Sequence, residues 1–173
     1  MRYPFLLAAI ATALAIQPAR AGDPKPEVER GAVTAQAVGV AHTLRTIPEA
    51  CARLEGAFTG QAGAPYRFAV VRTSPNCQPR AQFVEAAQAS PSVQAGWVLN
   101  DLIRVPQADC QTRQAVVRVW RKPLAQAQAT QRDGQGQMRL YLEDLRNSAK
   151  AGKLDAVPKF AATMAVEGLP CGG

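Results

Sequence analysis

The side chains that could support catalysis are few in this sequence. His42 is the one histidine, so a Ser-His-Asp or Cys-His triad would have to use it. It lies in a predicted strand, where a lone histidine is usually structural. A carboxylate-dependent hydrolase of envelope polymers is the alternative, with Asp101, Glu143 and Asp144 as its candidate acids. The sequence contains no GxSxG elbow, phosphate-binding glycine loop or dinucleotide fingerprint, and it predicts a non-enzymatic protein with no cofactor and no metal.

A second group of side chains could bind a ligand without catalysis. Gln114, Arg118, Trp120 and Lys122 share the even-numbered face of a predicted strand, because alternate residues of a strand point the same way. A tryptophan beside two cations can hold an anionic ligand by stacking and charge. In the alternative interpretation Trp120 is covered by a helix or by the N-terminal strand, and the cations only keep the surface solvated. We take these four residues as the candidate binding face.

Residues 1–21 have the features of a cleaved signal peptide. Arg2 supplies a positive start, Phe5–Ile16 is an apolar run, and Ala19 and Ala21 are small residues of the kind that a signal peptidase recognises. At about 1.5 Å per residue the apolar run extends about 18 Å, which is too short for a hydrocarbon core of about 30 Å. The sequence therefore predicts a periplasmic or secreted protein with no transmembrane segment after cleavage.

The chain after the signal peptide is basic and has the size of one domain. Residues 22–32 are polar and proline-rich and predict a solvated linker, which leaves residues 33–173 for a single domain. The chain has 20 basic and 13 acidic residues, and the basic ones are scattered, which argues against nucleic-acid binding. We interpret the protein as an exported interaction domain of the bacterial cell envelope (an inhibitor, an immunity-type protein or an accessory protein). Its expected partner is a protein or an anionic envelope component.

All four cysteines follow the signal peptide, and their even number in an exported chain predicts two disulfides. A four-thiolate metal site would need close pairs such as Cys-x2-Cys, and the sequence has none. Three pairings are possible. A predicted hairpin with its turn at residues 60–65 brings Cys51 and Cys77 to matching distances from the turn. The remaining pair, Cys110 and Cys171, would then hold the C-terminal end, which would otherwise fray.

The clearest predicted strand pair joins residues 97–105 to residues 113–122. A turn near Cys110 brings the odd-numbered, apolar faces of the two strands together. Asp101 falls within this apolar face, so it either pairs with a basic neighbour or lies where the sheet twists to an edge. The apolar face of the first strand comprises Trp97, Leu99, Ile103 and Val105.

Weaker patterns predict the elements that precede this pair. Residues 35–44 favour a strand. Thr46–Glu49 resembles a capping box with proline in its first turn, while the alternation over residues 53–58 favours a strand. We expect a strand there, preceded by at most one helical turn, and a short helix within residues 80–89.

The C-terminal third completes the predicted fold. Residues 124–137 are rich in Gln, Ala and Gly and predict a surface loop. Apolar residues at helical spacing predict a helix over residues 138–149, and residues 159–167 predict a last strand. The predicted fold class is α+β: a small antiparallel sheet of five or six strands, stabilised by disulfides, with one main C-terminal helix packed on it.

Overall fold

The strands of this protein form two sheets that face each other across one core. The computed structural model describes residues 22–124 and 157–171. The predicted signal peptide, the predicted surface loop beyond residue 124 and the predicted helix at residues 138–149 lie outside these residues.

The first sheet is an antiparallel meander of three strands in the order β1-β2-β3. Its strands are β1 (His42–Ile47), β2 (Ala52–Phe58) and β3 (Tyr66–Arg72), and a single 3-10 turn (Pro48–Ala50) joins the first two. The capping-box sequence therefore forms one helical turn before a strand, as predicted. The strand predicted over residues 35–44 begins only at His42. Before it, Gln36 and Val38 each form a single bridge, to Gln107 and Phe58, and no continuous ladder.

The second sheet has four strands in the order β4-β7-β6-β5. These are β4 (Gln82–Phe83), β5 (Val98–Gln107), β6 (Cys110–Lys122) and β7 (Lys159–Gly168), and a four-residue helix, α1 (Ala86–Ala89), lies between β4 and β5. β4 runs parallel to β7, whereas β5-β6 and β6-β7 are antiparallel pairs. The predicted strand pair and the predicted last strand are confirmed.

The core lies between the two sheets and draws on both. Leu54 and Phe58 of β2 have no exposed surface, and neither have Val117 and Val119 of β6. Phe58 packs edge-on against the ring of Tyr66, with centroids 4.9 Å apart, a favourable aromatic geometry. Buried residues from every strand except the short β4, together with Ala81 just before β4, form one continuous cluster: Leu44, Ile47, Leu54, Phe58, Tyr66, Ala81, Ile103, Val105, Ala115, Val117, Val119, Phe160 and Ala162.

The predicted α+β class is wrong. The described residues form two sheets, and their one α-helix has four residues. The prediction assigned both hairpins to one sheet and left its apolar face to be covered by a helix. In the structure each hairpin belongs to its own sheet, and the two apolar faces cover each other.

A β-bulge in β5 changes which residues face the core. The pairing with β6 shifts between Leu99 and Asp101, so Asn100 is an extra residue, and an extra residue reverses the alternation of side chains along a strand. After the bulge the odd-numbered residues, such as Ile103 and Val105, face the main core. Leu99 instead pairs with Trp120 and packs with Trp97 in a second cluster on the outer face. The prediction that one odd-numbered face runs through the whole strand is therefore wrong at its N-terminal end.

The N-terminal segment covers the free edge of β5. The amide of Glu27 donates to the Leu99 carbonyl at 2.9 Å, and the amide of Gln36 donates to the Pro106 carbonyl at 2.9 Å. Residues 22–32, predicted as a solvated linker, thus include chain that lies along the sheet. An edge strand that is covered in this way is closed to pairing with other chains.

Both disulfides are present with the pairing that the hairpin argument favours. Cys51–Cys77 joins the start of the β2–β3 hairpin to its end, with Cα atoms 5.8 Å apart. Cys110–Cys171 ties the chain after β7 to the first residue of β6, with Cα atoms 5.7 Å apart. Each bond is expected to stabilise the fold by about 2–4 kcal/mol, mainly by restricting the unfolded chain.

The two disulfides should differ in their contributions, because they close loops of different length. Their sequence separations are 26 and 61 residues, and the chain-entropy argument then gives the longer loop about 0.7 kcal/mol more. We expect C110S/C171S to lower the free energy of unfolding by more than C51S/C77S does. Urea unfolding of both variants measures the difference, and a larger loss in C51S/C77S would contradict the chain-entropy account.

Candidate functional site

The predicted binding face lies on the outer side of β6, but its tryptophan is covered. Trp120 is 7% exposed and packs against Trp97. The Lys122 ammonium lies 5.9 Å from the centroid of the Trp97 ring, so its charge is directed at an aromatic face of the protein itself. Gln114 is paired with Glu167 of β7. The Trp120 ring is therefore not open for stacking with a ligand. Its position agrees with the alternative interpretation, in which other parts of the chain cover it.

Two arginines of β6, Arg118 on this face and Arg121 on the opposite one, are paired with acids. Arg118 donates to both carboxylate oxygens of Asp23, at 2.9 and 2.8 Å, and lies 3.4 Å from Glu167. Arg121 donates to Glu27 at 3.0 Å. Hydrogen bonding to Arg118 holds the pKa of Asp23 below its ordinary value, and hydrogen bonding to Arg121 does the same for the pKa of Glu27. Asp23 thus neutralises Arg118 on the outer face of β6, and Glu27 neutralises Arg121 on the opposite face.

Asp101 is a buried carboxylate held by two guanidinium groups. It has no exposed surface, and its Oδ2 accepts hydrogen bonds from Arg45 and, at 2.7 Å, from Arg30. Arg45 also donates to Asn100 Oδ1 at 3.1 Å, and Asn100 donates to Glu27 at 2.7 Å. Of the two outcomes expected for Asp101, the structure shows pairing with basic neighbours. This enclosed carboxylate is closed to an external substrate. The other two candidate acids of the hydrolase alternative lie outside the described residues.

His42 is held by a structural contact that crosses the first sheet. Its Nε2 lies 2.9 Å from the Tyr66 hydroxyl and its Nδ1 lies 3.4 Å from the Val40 carbonyl. Burial lowers the pKa of His42, so the neutral ring donates to Val40 and accepts from the hydroxyl. The Tyr66 side chain reaches β1 by passing over Gly56 of β2, where an added Cβ would lie 1.8 Å from the hydroxyl oxygen.

The edge of the two-sheet structure opposite β1 and β5 is left open by the residues that the structure describes, and we call it the open edge. β3 ends the first sheet and β4 ends the second, and an open groove of about 490 Å³ lies between them. The walls are mainly apolar. Val70, which lies on this groove, is 41% exposed. The residues that line the groove include Ala50, Cys51, Val70, Val71, Ala81, Phe83 and Val157.

Three arginines lie at or near this groove without a carboxylate partner among the described residues. Arg72 lines it and donates to three main-chain carbonyls of residues 74–77, at 3.0 to 3.1 Å. Arg80 is exposed and lies between the lining residues Pro79 and Ala81 in the chain. Arg67 is exposed near the start of β3, on the face of the strand that points away from the core. Glu49, the neighbouring acid, accepts from the Arg80 amide through its main-chain oxygen. No carboxylate of the described residues therefore pairs with the arginines at this edge, whereas Asp23 and Glu167 neutralise Arg118 on the outer face of β6.

The sequence did not single out the open edge. The alternation of residues 66–72 predicts a strand, and its arginines and exposed valine are visible in the sequence. Which strands end a sheet depends on long-range pairing, which a local pattern does not contain. The signal that could have marked β3 is a strand with a charge near each end and apolar residues on both faces.

Comparisons with known proteins provide no relative from which the role of this site could be inferred. No protein-family model, curated protein or solved structure matches the chain. Within residues 22–124 and 157–171, no cluster of three or more His, Cys, Asp and Glu side chains could hold a metal ion. No helix in those ranges has the length and apolarity required to cross a membrane.

The lowered pKa values of Asp23 and Glu27 predict how the N-terminal segment responds to acid. A carboxyl group whose pKa is lower in the folded than in the unfolded chain stabilises the fold above its unfolded value. That stabilisation is lost as the pH falls through the folded value. The ordinary values are 3.8 and 4.5, so we expect the segment to detach below about pH 4.

Hydrogen exchange at the amides of Glu27 and Val28 measures this detachment, because both donate to β5 carbonyls. Their protection factors should fall between pH 6 and pH 3, while the amides in the centre of β6 stay protected. In D23N/E27Q the two amides should be poorly protected at both pH values. Equal protection at pH 6 and pH 3 in the unmodified chain would contradict the prediction.

Proposed function

We propose that this protein is a non-enzymatic interaction domain, exported to the periplasm or the cell exterior, that binds a negatively charged partner at the open edge between β3 and β4. One observation carries the proposal: an apolar groove of about 490 Å³ is lined by Arg72, with Arg80 beside its lining residues and Arg67 on the same edge strand. None of these arginines has a carboxylate partner among the described residues. Apolar surface supplies affinity on burial, and uncompensated charge steers an oppositely charged partner.

The chemistry of the groove supports binding. Its walls are aliphatic and aromatic side chains, a disulfide sulfur, one amide and one arginine. The histidine is bonded to Tyr66 on the side of β1, and the cysteines that the structure describes are oxidised. The groove therefore offers shape, apolar contact and positive charge.

Two disulfides support the proposed location. Disulfides form and persist in oxidising compartments, and the Cys51–Cys77 bond lies at the groove itself. It fixes the turn that follows β3 against the start of β2. A groove that is rigid before its partner arrives loses less conformational entropy on binding.

Site-specific crosslinking in intact cells tests the proposal. A photo-reactive amino acid at Val70, on the groove, is expected to give a discrete crosslinked product. The same amino acid at Thr163, on the outer face of β7, is expected to give none. The product should decrease at least tenfold in R67E/R80E, which reverses two exposed charges at the open edge.

The matched control reverses two charges elsewhere. Lys25 is exposed on the N-terminal segment and Arg104 is half exposed on β5, so K25E/R104E changes the net charge by the same amount as R67E/R80E does. We expect it to leave the crosslinked product unchanged. Absence of any product from Val70, or equal loss in both double variants, would overturn the proposed site.

A further inference from the structure

The outer edge of β3 presents a regular set of unpaired main-chain groups. The Thr59 amide donates to the Pro65 carbonyl and the Thr73 amide donates to the Cys51 carbonyl, each at 3.0 Å. These bonds fix the phase of the β2–β3 ladder, because hydrogen-bonded pairs recur at every second residue of an antiparallel pair. Odd-numbered residues of β3 therefore bond β2. The even-numbered residues, Tyr66, Phe68, Val70 and Arg72, direct their N–H and C=O groups away from the sheet.

β3 is the longest regular edge strand that the described chain leaves uncovered. It has seven residues paired with β2 without a register shift. The N-terminal segment covers β5, a bulge interrupts β1 between Thr43 and Arg45, and β4 has only two residues. Short, bulged or covered edges do not accept another strand readily, whereas a regular uncovered one does.

The side chains of β3 indicate how an added strand would be oriented. Val70 is paired with Leu54, which is fully buried in the core, so the even-numbered side chains point to the core side of the sheet. An added strand would direct alternate side chains to the same side. There they would enter the groove between β3 and β4, beside Ala81 and Phe83. Main-chain pairing with pockets for alternate side chains is the usual mode of recognition by strand addition.

We propose that β3 accepts an extended segment of a partner protein as an additional strand, with apolar residues at alternate positions in the groove and acidic residues near Arg67 and Arg80. This inference rests on the proposed function and specifies the chemistry of its partner. A second copy of this chain fits the edge less well. β3 contains two arginines and no acid, so two antiparallel copies would bring four cations and no compensating carboxylate of β3 to one interface, and like charges across an interface oppose association.

An array of ten-residue peptides tests the inference with the full chain after signal cleavage. One set has β-branched or aromatic residues at alternate positions and glutamate at both ends, and the matched set has lysine at both ends. We expect the best glutamate peptides to bind at least tenfold more tightly than their lysine counterparts. N-methylation of alternate main-chain amides should abolish binding, because it removes donors without changing side chains.

Hydrogen exchange distinguishes strand addition from other modes of binding. Bound peptide should slow exchange at the amides of Phe68, Val70 and Arg72 by at least tenfold and leave the amides of Ala69 and Val71 unchanged. Failure of every glutamate peptide to bind, or binding without this alternation, would overturn strand addition. If the amides of Phe68, Val70 and Arg72 are protected without peptide, and the chain sediments as a dimer, the edge of β3 pairs with a second copy. That result would also overturn the addition of a strand from a partner protein. If strand addition is overturned in any of these ways but the crosslinked product at Val70 still forms, the proposed function is retained and only the mode of binding is rejected.

Discussion

The buried ion pair between Asp101 and Arg45 is the interaction on which the arrangement of the two sheets depends. Each partner follows a bulge: the pairing of β5 shifts at Asn100, and that of β1 shifts at Leu44. Arg30 adds the N-terminal segment to the same carboxylate. A buried charge is costly without partners, and Asp101 Oδ2 has both of its guanidinium partners only when both sheets and the segment are in place. It therefore specifies one arrangement of three parts that apolar packing alone would leave less well defined.

The two sides of the molecule differ as a consequence. Beside the ion pair, the N-terminal segment covers the free edge of β5, and its acids neutralise Arg118 and Arg121. At the opposite side, residues 22–124 and 157–171 leave the edge of β3 uncovered and provide no carboxylate partner for its arginines. The functional proposals follow from this difference, because a covered and neutral edge gives a partner little to bind, whereas an open and charged one supplies hydrogen bonds, apolar surface and steering.

Local patterns predicted the elements of this fold better than their assembly. Alternation located both long hairpins and the last strand, and the turn at residues 60–65 led to the disulfide pairing. The bulge at Asn100 was missed because an extra residue leaves no mark in a short alternating run. The acids of residues 22–32 suggested solvation because their arginine partners lie far away in sequence. The candidate site was missed for the same reason: whether a strand ends a sheet depends on distant pairing.

The passage of the Tyr66 side chain over Gly56 to His42 links one residue from each strand of the first sheet. A larger residue at position 56 would occupy the space of the tyrosine hydroxyl, and a shorter residue at position 66 would leave the imidazole without that hydrogen bond. The three positions should therefore vary together during evolution. Covariation of this kind can outlast overall sequence similarity, so a glycine in a central strand, matched by a tyrosine and a histidine on either side, is a signature by which distant homologues could be recognised.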